Sequence, residues 1–98
     1  MTETAKMSDV VFPAASFAEK DGNFTNTERR ILPIHPFIKQ IGESKPDWQI
    51  IQAIAQKMGA DMKYSSVKDI LDEINELTPQ YGGITYERIK NGEMLQWP

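Results

Sequence analysis

Residues that could do chemistry concentrate in SFAEKDGNFTNTERR, residues 16–30, where Glu19, Lys20, Asp21, Glu28, Arg29 and Arg30 sit on a Gly, Asn and Thr background with Phe17 and Phe24 seven apart. A loop without a task is usually shorter and lacks aromatics, so this composition points to a segment that meets something charged or polar. Elsewhere the supply is thin. His35 is the only histidine and lies between Pro33 and Pro36, so no metal cluster of ordinary type can form around it, and it reads as a surface loop residue. No Ser/His/Asp arrangement can be singled out, and neither a G-x-G-x-x-G nor a Walker pattern occurs. The carboxylates Asp72/Glu73 and Asp69/Glu76 fall on the polar face of an amphipathic segment, where charges are normally solvated. No catalytic residue and no metal ligand is expected, and these residues carry out no reaction unaided.

The chain that must position this stretch has 98 residues, enough for one domain with a modest core. Hydrophobic residues at 40% and charged residues at 26% describe a folding composition rather than a disordered one. A net charge of -3 and a pI near 5.1 argue against a general nucleic-acid partner. No apolar run approaches the ~18 residues of a membrane span, and the N-terminus lacks the apolar core of a signal peptide. Cysteine is absent, which removes disulfides, thiolate metal sites, Fe–S ligation and cysteine nucleophiles from these residues. A cytoplasmic setting fits.

Along the chain, residues 2–8 suit one helical turn, and Asp9-Val10-Val11-Phe12-Pro13 suits a short buried strand. Asp21-Gly22 signals a turn. Residues 23–31 partly alternate, as an extended segment with two polar faces would, and such a segment needs partners. Pro33, Pro36 and Gly42 mark irregular chain through Ile34-His35. The second half is more regular. Ser44 and Asp47 fit a capping box before DWQIIQAIAQKM, a helix with Trp48, Ile51, Ala55 and Met58 on one face and Gly59 at its C′ position. A second helix begins at Ser66-x-x-Asp69, carries Val67, Ile70, Leu71, Ile74 and Leu77 at 3/4 spacing, and stops at Thr78-Pro79. Thr85 caps a short third helix, Tyr86 to Lys90, ended by Asn91-Gly92. The two long amphipathic helices are expected to pack together.

Residues 9–30, DVVFPAASFAEKDGNFTNTERR, closely resemble the (A)DVVLPAxxxxEKxGxFxNxERR signature of molybdopterin oxidoreductases, with Phe12 in place of Leu. The Gly42-Glu43-x-x-Pro46-Asp47-Trp48 approach, Leu77-Thr78-Pro79, Tyr81-Gly82-Gly83-Ile84-Thr85-Tyr86-Glu87 and the closing Leu95-Gln96-Trp97-Pro98 look most like formate dehydrogenase alpha (catalytic) subunits. A nitrate reductase type sibling is the nearest alternative, and a stand-alone helical interaction module is the alternative from another class.

The resemblance implies an α/β fold: an α-rich internal fragment of a Rossmann-like domain that binds molybdopterin guanine dinucleotide. It would have short parallel strands, including Val10–Phe12, two amphipathic helices and a short third one. Residues 1–98 would be one segment of a much longer catalytic subunit, with 1–43 as strand and cofactor-side loop and 44–98 as the helical part. The full-length subunit would oxidise formate to CO2 at a bis(molybdopterin guanine dinucleotide) centre holding Mo or W. The Fe–S cluster and active-site residues lie elsewhere in that longer chain, and the 98 residues alone would be inactive and hold no cofactor. Expected partners are the remainder of the catalytic subunit and electron-transfer subunits or carriers. By resemblance Lys20 contacts the cofactor, where an ammonium suits phosphate oxygens, and Asp47 meets the guanine, where a carboxylate accepts two N–H bonds. Asn26 and Arg29 are lesser candidates, more suited with Glu28 and Arg30 to holding the loop. Phe17 and Phe24 would anchor the loop in the core.

Overall fold

The computed structural model describes residues 1–98 and shows a mixed α/β chain. Its elements run α1 (Glu3–Lys6), β1 (Gly22–Thr25), β2 (Ile31–Ile34), α2 (Asp47–Lys57), α3 (Val67–Leu77), a 3-10 turn (Pro79–Tyr81) and α4 (Tyr86–Lys90). The only sheet is an antiparallel hairpin of β1 and β2, in register Gly22↔Ile34, Asn23↔Pro33, Phe24↔Leu32 and Thr25↔Ile31.

The polar residues 26–30 close this hairpin. Arg29 N–H donates to Asn26 O at 2.9 Å, Asn26 N–H donates to Arg30 O at 2.9 Å, and Arg29 takes the left-handed conformation at φ 64°. This is the common three-residue loop, a tight turn followed by one left-handed residue. The Asn26 side chain secures it, its Oδ1 accepting from the N–H groups of Glu28 and Arg30, each at 2.9 Å. Ladder bonds alternate along an antiparallel pair, so the bond at 26/30 puts Asn23↔Pro33 at a non-bonded position. Pro33 therefore loses no ladder bond, and Ile31–Ile34 is a strand although Pro33 suggested irregular chain from that point. The outer edge of β2 is met by the C-terminal segment: Ile31 N–H donates to Leu95 O at 3.0 Å and Trp97 N–H to Arg29 O at 2.8 Å.

The helices start and stop largely where their residues direct. At α3, Ser66 Oγ accepts from Asp69 N–H while Asp69 Oδ2 accepts from Ser66 N–H at 3.0 Å, a complete capping box. At the end of α2, Gly59 N–H donates to Gln56 O and Ala60 N–H to Ala55 O, with Gly59 at φ 90°. That is a Schellman ending, and it needs the glycine. The start of α2 differs from expectation. Its N-cap is Pro46, no side chain caps it, and Ser44 Oγ has no partner, so Asp47 serves only as an acid in the first turn.

One core forms, from Ile31, Leu71, Ile84 and Ile89, with Tyr81, Tyr86, Leu95 and Trp97 against it. It joins β2, α3, α4 and the C-terminal segment. Helix α2 buries no residue, and Ile51 remains 58% exposed, so the expected packing of its apolar face against α3 does not occur. Val10, Val11 and Phe12 are exposed and form no strand. Parallel pairing is reduced to one bridge, Ala14↔Lys45, because the chain offers no further strand to extend it. Phe17 and Phe24 also lie outside the core; Phe17 packs on Phe37 at a centroid distance of 6.3 Å. Total accessible area is 7410 Å2, against roughly 5,700 Å2 for a compact protein of this mass. The excess shows that the chain is less compact than an independent domain of its mass, and large apolar side chains such as Val10, Phe12, Ile51 and Met58 are among those exposed.

Candidate functional site

A cleft of about 390 Å3 opens between the hairpin, the first turn of α2 and α3. Nine of its 15 lining residues are hydrophobic, Trp48, Leu71, Ile74 and Tyr81 among them, and its polar groups include Lys20, Asp21, Asn23 and Asp47. Mostly apolar walls with a few convergent polar groups are what a small-molecule site requires.

Lys20 and Asp47 are 27 residues apart in sequence, and the fold brings them into an ion pair at this cleft. The Lys20 side chain is 26% exposed and that of Asp47 56%, so the pair sits at the mouth rather than in the interior. Hydrogen bonding from the Lys20 ammonium holds the Asp47 carboxyl below its ordinary value, against a smaller opposing effect of burial. Each partner is held by its own backbone anchor. Lys45 N–H donates to Pro13 O and Ala15 N–H to Lys45 O, which fixes the chain just ahead of Asp47. On the other side Glu19, 8% exposed, accepts from Ser16 N–H at 2.7 Å and Ile41 N–H at 2.8 Å. Those N–H groups, Ser16 foremost, lower the Glu19 carboxyl below its ordinary value. Ala18 O accepts from Phe37 and Ile38 N–H groups, so the turn before Lys20 is tied to residues 37–41 at several points.

Asp21 extends the same framework toward α4. Its Oδ2 accepts from Tyr86 Oη at 2.7 Å, an interaction that raises the Tyr86 phenol, and its Oδ1 lies 3.5 Å from His35 Nδ1. Asn26 and Arg29 do not join Lys20 and Asp47 at the cleft; both belong to the hairpin turn. Three residues of this site escaped the sequence reading. Glu19 was read only as one charge of the loop and part of the family signature, Tyr86 only as helical and part of the formate dehydrogenase-like segment, and Asn23 could have been found from alternation, which places it on the face of Thr25 and Ile31.

The polar part of the cleft is built from residues 20–23 and 47, all within residues 1–57, which match the family described as molybdopterin oxidoreductase. The chain belongs to that family. It is similar over all its residues to proteins named "Putative formate dehydrogenase", at 54% identity from Staphylococcus aureus (strain bovine RF122 / ET3-1) and 54% from Staphylococcus haemolyticus (strain JCSC1435). A third, from Staphylococcus aureus (strain MRSA252), is 52% identical. The chain spans about a tenth of the length of these relatives, covering 10% of each. No helix is long and apolar enough to cross a membrane.

Proposed function

We propose that this chain is a segment of the catalytic subunit of a formate dehydrogenase and forms part of the cradle for a bis(molybdopterin guanine dinucleotide) centre carrying Mo or W. The observation that carries the reading is the meeting of Lys20 and Asp47 at an apolar cleft. A guanine dinucleotide needs a cation for its pyrophosphate and an acceptor for its base, and this cleft presents one of each. The fit is supported by a second feature: Trp48 and Tyr81 stand in the apolar lining of the same cleft, which suits a flat base.

When bound, the metal centre supplies the two-electron oxidation of formate to CO2, with Fe–S clusters elsewhere in the polypeptide and electron-transfer subunits or carriers receiving the electrons. The residues of this chain bind and orient. Lys20 turns from Asp47 to phosphate oxygens, Asp47 is freed to accept from the guanine edge, and Trp48 with the α3 side chains shields the base from water. Glu19 and the Lys45 backbone keep the two groups in place. Residues 9–13, which form no strand here, would join a parallel Rossmann-like sheet supplied by the remainder of the catalytic subunit, which would also cover the exposed face of α2. The assembly works in the cytoplasm.

Asp47→Asn in the complete polypeptide tests this reading. Asn retains the shape but offers the guanine one acceptor and one donor, so guanine and molybdenum content should fall. Losing a charge-assisted contact to a buried donor is worth about 2–3 kcal/mol. The melting temperature of the cofactor-free polypeptide should hardly change, because an exposed ion pair contributes about 0–1 kcal/mol and Asp47 makes no capping bond. Full cofactor content in the Asp47→Asn protein would refute the assignment.

A further inference from the structure

Lys20 stands on a short span of chain that its own backbone does not hold. Glu19 is fixed through Ser16 and Ile41, and Gly22 begins the ladder of β1. Between them neither Lys20 nor Asp21 makes a backbone–backbone hydrogen bond. What ties the span down is the Asp21 carboxylate. Its Oδ2 accepts from Tyr86 Oη at 2.7 Å, across 65 residues of sequence. Its Oδ1, shielded from solvent, lies 3.5 Å from His35 Nδ1, just past the end of β2. Tyr86 is a firm footing, because it opens α4 and packs against the core cluster, where Ile89 of the same helix is 2% exposed. With its carboxylate engaged on that side, Asp21 leaves the neighbouring ammonium to Asp47 at the cleft.

Resting on the cofactor-cradle reading above, we infer that Tyr86 is a positioning residue for the dinucleotide: its hydroxyl, by binding Asp21, holds Lys20 where the ammonium meets the cleft. Tyr86 does not line the cleft, so it acts through Asp21 and Lys20 and not by touching the ligand. The same bond has a second effect. A carboxylate engaged with Tyr86 is kept from capturing the Lys20 ammonium and from turning its charge toward phosphate oxygens.

The rate at which bound cofactor leaves the loaded complete polypeptide tests this, followed during dialysis as loss of the GMP that acid releases. The parent, Tyr86→Phe, Lys20→Met and the double variant are compared, and the melting temperature of each cofactor-free polypeptide is recorded so that only folded proteins enter. Tyr86→Phe removes the hydroxyl but keeps the ring on the core, and should speed release about three- to tenfold, the range of one hydrogen bond. Lys20→Met should speed it about tenfold or more, as loss of a charge-assisted contact does. The double variant should release no faster than Lys20→Met, because a residue that acts through Lys20 then has nothing left to position. Should Lys20→Met load no cofactor, salt decides: release from Tyr86→Phe should rise less steeply with ionic strength than release from the parent, its ammonium–phosphate contact being weakened already. Release from Tyr86→Phe at the parent rate, with Lys20→Met fast, overturns the role of Tyr86 and leaves the cradle reading standing. Effects that multiply in the double variant, or a salt response equal to the parent's, overturn the action through Lys20. Lys20→Met releasing as slowly as the parent shows that the cradle reading itself is wrong.

Discussion

Helices α2 and α3 have the same length and each carries apolar residues at helical spacing, more sharply segregated to one face in α3, yet α3 helps build the core and α2 buries nothing. Helix α3 has Leu71 against Ile31, Ile84 and Ile89, with Tyr81 and Trp97 closing over them. Helix α2 presents Ile51, Ile54 and Met58 to solvent, beside the equally exposed Val10, Val11 and Phe12. The difference shows that an amphipathic pattern records which face needs a partner and not which element supplies it. For α3 the partners lie within about twenty residues on the C-terminal side and on β2. For α2 they are not in this chain.

The sharpest way to break that contrast is to cut into both stripes. Ile89→Ala removes a 2% exposed side chain from the core and should destabilise the chain by about 2–5 kcal/mol. Ile51→Ala should stay within about 0.5 kcal/mol of the parent in thermal or denaturant unfolding, since it removes a mostly exposed side chain. If the remainder of the catalytic subunit covers α2 as proposed, Ile51→Ala should cost about 2 kcal/mol or more in the complete polypeptide. Equal costs for the two substitutions in the 98-residue chain would mean that α2 is packed after all.

Helix starts give the next largest effect. Ser66→Ala breaks the reciprocal bonds at the start of α3 and should cost about 1 kcal/mol by denaturant midpoint. Ser44→Ala should cost clearly less, because α2 is capped by no side chain and the Ser44 hydroxyl does not bond the helix backbone. A comparable loss for Ser44→Ala would contradict the Pro46 cap.

Arg29 offers the smallest effect. Its left-handed backbone costs an ordinary residue about 1 kcal/mol, which glycine avoids, so Arg29→Gly should raise stability by up to about that amount. Guanine content should be unchanged in the complete polypeptide, since Arg29 does not line the cleft. Lost guanine in that variant would restore Arg29 as a cofactor contact.

Local chemistry was legible in the residues, and long-range pairing was not. The three later helices follow from 3/4 spacing, from Ser66 and Thr85 at their starts and from Gly59, Pro79 and Gly92 at their ends, all signals carried within a turn or two. Strand β2 was hidden because Pro33 reads as a breaker until its register opposite Asn23 is known. The 9–13 run reads as a buried strand because Val10, Val11 and Phe12 ask for cover on two faces, and the chain holds no strand to provide it. At the site, Lys20 and Asp47 were named by resemblance, and their approach across 27 residues became visible only in the folded chain. Ser44 misled because a serine three residues before an acid is also the pattern of a capping box; a buried Pro46 occupies the cap instead.

What Lys20 and Asp47 hold when cofactor is present is read directly by a structure of the cofactor-loaded complete polypeptide. The predicted result is a broken Lys20–Asp47 pair, with Lys20 Nζ on a phosphate oxygen and Asp47 on the guanine edge, each at about 2.7–3.0 Å. An intact Lys20–Asp47 pair, with the dinucleotide seated away from this cleft, would contradict it.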